Sequence, residues 1–92
     1  MCTYQTEKLS IDASGKTPGG WTRMTDATVY FDHPVHYPAG HALMIDVLNP
    51  GKGPSARVAL EMSPESARSL ALAILHTLDS VPTGLVSDAR EH

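Results

Sequence analysis

The sequence predicts an α+β domain: an antiparallel four-stranded sheet with one C-terminal helix packed on one face. Three observations predict it. Four segments carry alternating or β-branched and aromatic residues, turn-forming residues separate them, and one later stretch repeats apolar residues at helical spacing. Strands followed by a single helix, with no strand–helix alternation, imply an antiparallel sheet with the helix laid across it.

Residues 2–12 (CTYQTEKLSID) alternate weakly and suit a first strand, and the turn-formers of 13–20 (ASGKTPGG) predict a loop. From Trp21 to Phe31 the content is that of a strand, with Ala27, Val29, Phe31 and His33 on one face and Thr28, Tyr30 and Asp32 on the other. Pro34 and Pro38-Ala39-Gly40 then bend the chain. Residues 41–48 (HALMIDVL) predict a third strand, with His41, Leu43, Ile45 and Val47 on one face and Ala42, Met44, Asp46 and Leu48 on the other. The second of these faces is too apolar to be fully wet, and a homodimer sheltering Met44 and Leu48 is expected there. A turn at 49–54 leads into a fourth strand, Arg57–Met62.

The helix has the clearest signature. Ser63 suits an N-cap, Pro64 the first helical position, and Glu65 the positive end of the helix dipole. Ala67, Leu70, Ala71, Ile74, Leu75 and Leu78 form an apolar stripe, which Pro82 and Gly84 end. Residues 1–80 are expected to form one domain and 81–92 a loose tail.

Composition narrows the functional classes. The chain has 92 residues, one cysteine and a net charge of -3. One domain of this size buries a thin core and often gains from a disulfide, a metal or a partner subunit. A single cysteine excludes an internal disulfide, which leaves metal or oligomerisation. Seven Lys and Arg, scattered singly, argue against nucleic acid. Apolar runs of a handful of residues argue against a membrane span, and the first twenty residues lack the pattern of a signal peptide. A soluble cytoplasmic domain is expected.

Three of the five histidines, His33, His36 and His41, fall within nine residues. A hairpin between the second and third strands would bring His33 and His41 together at its mouth, with His36 folded back over the same spot. Three imidazoles suit a divalent transition metal, zinc first. A thiolate from Cys2 would close such a site as a structural one, and a water in its place would leave it open for catalysis. Asp46 and Tyr4 are the candidates for catalytic or supporting roles beside it. The bland alternative is a surface loop with several histidines, and H-x2-H-x4-H is no established metal signature. Asp46 also fits a carboxylate that faces water at a sheet edge, and Trp21 a core or dimer contact; Tyr4, Tyr30 and Tyr37 could donate protons in a pocket, though Tyr30 also fits a strand-packing residue. Gly15-Lys16-Thr17 resembles the end of a phosphate-binding loop, but Ser10 stands where the first glycine is needed and Pro18-Gly19-Gly20 follow where a helix should start.

The opening Met1-Cys2-Thr3-Tyr4, Gly20-Trp21, the stretch Val29–His36 (VYFDHPVH), His41, Ile45-Asp46, Asn49-Pro50 and Ala56–Ala59 together resemble a family of short actinobacterial proteins of unknown function. The likeness spans nearly the whole chain. It implies that Cys2, Tyr4, Trp21, His33, His36, His41 and Asp46 belong to a shared pattern, and an actinomycete setting rich in specialised metabolism. It implies no reaction. The sequence therefore supports a small metal-binding protein with a histidine cluster, which would act on a small molecule if catalytic. A metal-free dimer that binds a small molecule or protein in a pocket beneath the helix is the alternative.

Overall fold

The computed structural model describes residues 5–82, 84 and 85. Four strands, β1 (Thr6–Thr17), β2 (Gly20–Asp32), β3 (Ala42–Leu48) and β4 (Arg57–Met62), precede one helix, α1 (Pro64–Asp79). The strands form one sheet in the order β1-β2-β3-β4, each antiparallel to its neighbours. This is the α+β arrangement the sequence predicts. No helix among the described residues is long and apolar enough to cross a membrane.

The first hairpin differs from expectation. Residues 13–17 continue β1 instead of forming a loop, and only Pro18-Gly19 turns the chain. Turn-forming residues are tolerated here because the ladder to β2 takes up their backbone groups, with Ala13 opposite Met24 and Gly15 opposite Thr22. Gly15 also has a packing role: a Cβ there would stand 2.8 Å from Met24 Cε. The turn closes with Gly20 at φ 115°, a conformation that favours glycine, and Thr17 Oγ1 donates to the Gly20 carbonyl at 2.9 Å.

Earlier in β1 the register shifts. Ser10 pairs with Asp26 but Ala13 with Met24, so Ile11 and Asp12 share the single position opposite Thr25. Such a bulge bends its strand and strengthens its twist. The sheet curls accordingly, and the β1–β2 tip shares a groove with Pro54, Ser55 and Arg57 at the far side of the sheet.

The registers β2–β3 and β3–β4 define two faces. Val29, Ile45 and Leu60 align on the helix face; Tyr30, Met44 and Glu61 align on the opposite, groove face. The buried apolar residues are Met24, Ala27, Ala42, Met44 and Ala56. By strand alternation Met24, Ala42 and Met44 belong to the groove face, so much of the tightest packing lies away from the helix. Met44 is buried by its own chain, because residues 35–38 fold over it. This covers Met44, one of the two residues that a dimer was expected to shelter; Leu48 is half-buried.

Helix α1 starts where the sequence places it. Ser63 is the N-cap, its Oγ accepting from the Ser66 N–H at 3.1 Å, and Pro64 opens the first turn. Ser80 ends the helix, its Oγ donating to the His76 carbonyl at 2.9 Å. The helix packs against the sheet with Ala67, Leu70 and Ile74 facing Val29, Leu43 and Ile45 across an apolar cleft of about 330 Å³. It stands off more than its apolar stripe leads one to expect: no residue of α1 is buried.

Candidate functional site

The predicted histidine constellation is divided between the two faces. His33 and His41 do meet at the mouth of the β2–β3 hairpin, their ring centroids 4.5 Å apart and tilted by 38°. His41 also stacks on Phe31, centroid to centroid 5.6 Å, so the pair continues the apolar face of β2 as the alternation predicts. The carboxylate beside this pair is Asp32, whose Oδ1 lies 3.4 Å from His33 Nδ1 and accepts from the His33 backbone N–H at 2.7 Å.

His36 is elsewhere: it lines a groove on the other face with Tyr30, Met44 and Asp46. Among the described residues no three His, Cys, Asp or Glu side chains stand together as a metal-holding group. Cys2 and Tyr4 lie outside the described residues. Trp21 is 72% exposed, so it is not a core residue.

What carries His36 across is Glu61. Its carboxylate accepts three consecutive backbone N–H groups, from Val35 at 2.6 Å, His36 at 2.9 Å and Tyr37 at 2.7 Å. Three donors converging on one carboxylate hold the 34–40 connection over the groove face. The bonds from Tyr37 and Val35 hold the Glu61 carboxyl below its ordinary range, with the His36 N–H and the nearby His36 ring adding to the effect. Glu61 is therefore an anion at neutral pH.

Under this loop lies a groove of about 630 Å³, with Tyr30, Met44, Asp46, Arg57 and Ala59 forming its floor and wall. Asp46 sits at its centre. Its Oδ1 accepts from Arg57 Nη2 at 2.8 Å and its Oδ2 from the Tyr30 hydroxyl at 3.0 Å. The acid is only 17% exposed, so it does not face bulk water as an isolated edge carboxylate would. Burial, then the bond to Asp46, raises the Tyr30 pKa, which keeps the phenol protonated as a donor. Val35, Pro38 and Met44 supply apolar wall.

Sequence reasoning found Asp46 but not its partners. Arg57 and Glu61 fall on the same alternation of β4, on the face that carries Asp46 in β3. Two acids and an arginine on one face of adjacent strands were the available signal. A pocket of several hundred Å³ with an apolar wall and a few convergent polar groups is the usual form of a small-molecule site.

A small α+β sheet domain with a loop-roofed groove is a class of architecture, and it does not name a reaction. The chain belongs to the family of unknown function DUF6295, whose model matches residues 1–87. Neither curated proteins nor solved structures provide a match.

Proposed function

We propose that the protein binds a small organic molecule in the groove between the 34–40 loop and the sheet. The observation that carries this reading is the Tyr30–Asp46–Arg57 network under a loop pinned by Glu61. Both carboxylates already accept hydrogen bonds from the protein, so the groove's unspent capacity is mainly that of donors. The Arg57 guanidinium has N–H groups beyond the one given to Asp46, and His36 and Tyr37 line the same space. Such a site suits a molecule with an apolar body and one acceptor-rich group, such as a carboxylate. Because the groove face is sheltered by the chain's own loop, binding needs no second subunit.

NMR titration with small carboxylates of apolar body, benzoate and hexanoate, tests it. Shifts should appear at Tyr30, His36, Met44 and Arg57 and be lost in Arg57→Ala. Shifts confined to the helix face, or none, would overturn it.

A second reading rests on the 4.5 Å approach of His33 and His41. This pair would supply two nitrogens to a divalent transition metal, zinc first, with further donors such as Cys2 completing the set. Elemental analysis of untagged protein checks this. His33→Ala and His41→Ala should each abolish metal uptake while His36→Ala leaves it unchanged. Equal loss in all three variants would mean that His36 joins the pair after all. Absence of metal, with melting unchanged by chelator, would remove this reading. A cytoplasmic, actinobacterial setting belongs to the same proposals.

A further inference from the structure

Two grooves meet at Arg57. The groove under the 34–40 loop, about 630 Å³, and the groove at the β1–β2 tip, about 340 Å³, share Arg57 and Ala59 as lining residues. The alternation of β4 explains the sharing: Arg57, Ala59 and Glu61 point to the groove face, level with Leu48, Asp46 and Met44 of β3. Glu61 holds the loop at one end of this row. Arg57 stands at the other end, where Pro54 and Ser55 line the tip groove with Thr17 and Pro18. An extended strand covers about 13 Å from Glu61 to Arg57. The curl of the sheet brings β1 within 8 Å of β4, Cα to Cα, although the two are opposite edges. Between the ends of the row lies Ala59, an exposed residue with a single methyl for a side chain. The smallest side chain of the row thus stands where the grooves join. The tip groove also differs in its polar groups. Thr17 Oγ1 gives its proton to the Gly20 carbonyl and so lines the groove as an acceptor, and Ser55 adds a hydroxyl.

We infer that the two grooves are one elongated binding channel, and that Ala59 sets the length of ligand it takes. The inference rests on the reading of the loop groove as a ligand site and deepens it. The acceptor group that Arg57 receives is internal to the ligand, because space continues on both sides of the guanidinium. A carboxylate ends a chain, whereas an amide or ester carbonyl joins two arms. The ligand class is therefore an acyl amide or ester. Its apolar acyl chain lies under the loop beside Val35, Pro38 and Met44, and its carbonyl accepts from an Arg57 N–H. Its second arm carries a hydroxyl or amide donor and reaches Thr17 and Ser55. A larger side chain at position 59 would stand across the path between the two arms and leave each groove closed off from the other.

NMR titration of the full chain with two uncharged probes tests it: hexanamide, which stops at Arg57, and N-hexanoylserinamide, which adds the second arm. Both should shift the signals of Tyr30, His36 and Met44. Only the longer probe should also shift Thr17, Gly19 and Ser55, and it should bind about tenfold tighter, as one or two added hydrogen bonds provide. Ala59→Leu should remove that advantage and leave the affinity for hexanamide unchanged. Should that variant misfold, Ser55→Ala decides: it should weaken the longer probe about threefold and leave hexanamide unchanged. Equal affinity for the two probes, or shifts that stop at Arg57, would overturn the inference while the loop groove remained a ligand site. An advantage that survives Ala59→Leu would overturn the role of Ala59. Binding of neither probe would overturn the loop-groove reading, and this inference with it.

Discussion

Glu61 shows how much one side chain can decide. A single carboxylate on the last strand sets which face the 34–40 loop covers, and with it where His36 goes. Its pKa lies below the ordinary 4.5, so its contribution to stability is full above that value and is lost as pH falls through the lower, folded pKa. The amide signals of Val35, His36 and Tyr37 should therefore shift together only on acidification below 4.5, and Glu61→Ala should show the released positions at neutral pH. Asn49 has a comparable reach. It is a buried polar residue whose Oδ1 accepts from the Gly51 N–H at 3.0 Å while its Nδ2 donates to the Arg23 carbonyl at 3.0 Å. Read from sequence, Asn49-Pro50-Gly51 is only a turn; in the structure it ties that turn to β2. Asn49→Ala should cost about 1–3 kcal/mol in denaturant unfolding, because it leaves the Arg23 carbonyl without this donor.

At the scale of elements, what is local was readable and what is long-range was not. The limits of β4 and the start of α1 follow from alternation and from Ser63-Pro64, which are properties of neighbouring residues. Ser63→Ala should lower helix stability by about 1 kcal/mol, measured by circular dichroism on heating. The strand over 13–17 was hidden because Ala-Ser-Gly is turn-forming by itself; only Met24, eleven residues beyond Ala13 and opposite it, explains why small residues stand there. The path of the 34–40 loop was hidden for the same reason, since its anchor lies some 25 residues later. The sequence did bring His33 and His41 together, because a hairpin mouth is set by strand alternation alone.

At the scale of the whole molecule, packing is concentrated around a few residues. Met24 is fully enclosed, while the apolar residues of α1 remain open. Met24→Ala should therefore cost about 2–5 kcal/mol by denaturant unfolding, a large part of the ~5–15 kcal/mol that holds a small domain folded. The bulge in β1 has one more consequence. β1 and β4 are the sheet's edges, and an edge strand offers its unpaired backbone groups to any other extended chain. The extra residue at Ile11-Asp12 breaks that edge into two short pieces, and the curl carries the second piece toward the opposite side of the sheet. What stands straight and open is Thr6–Ser10, which includes Glu7 and Lys8. The β1 edge is thereby a poor template for a further strand.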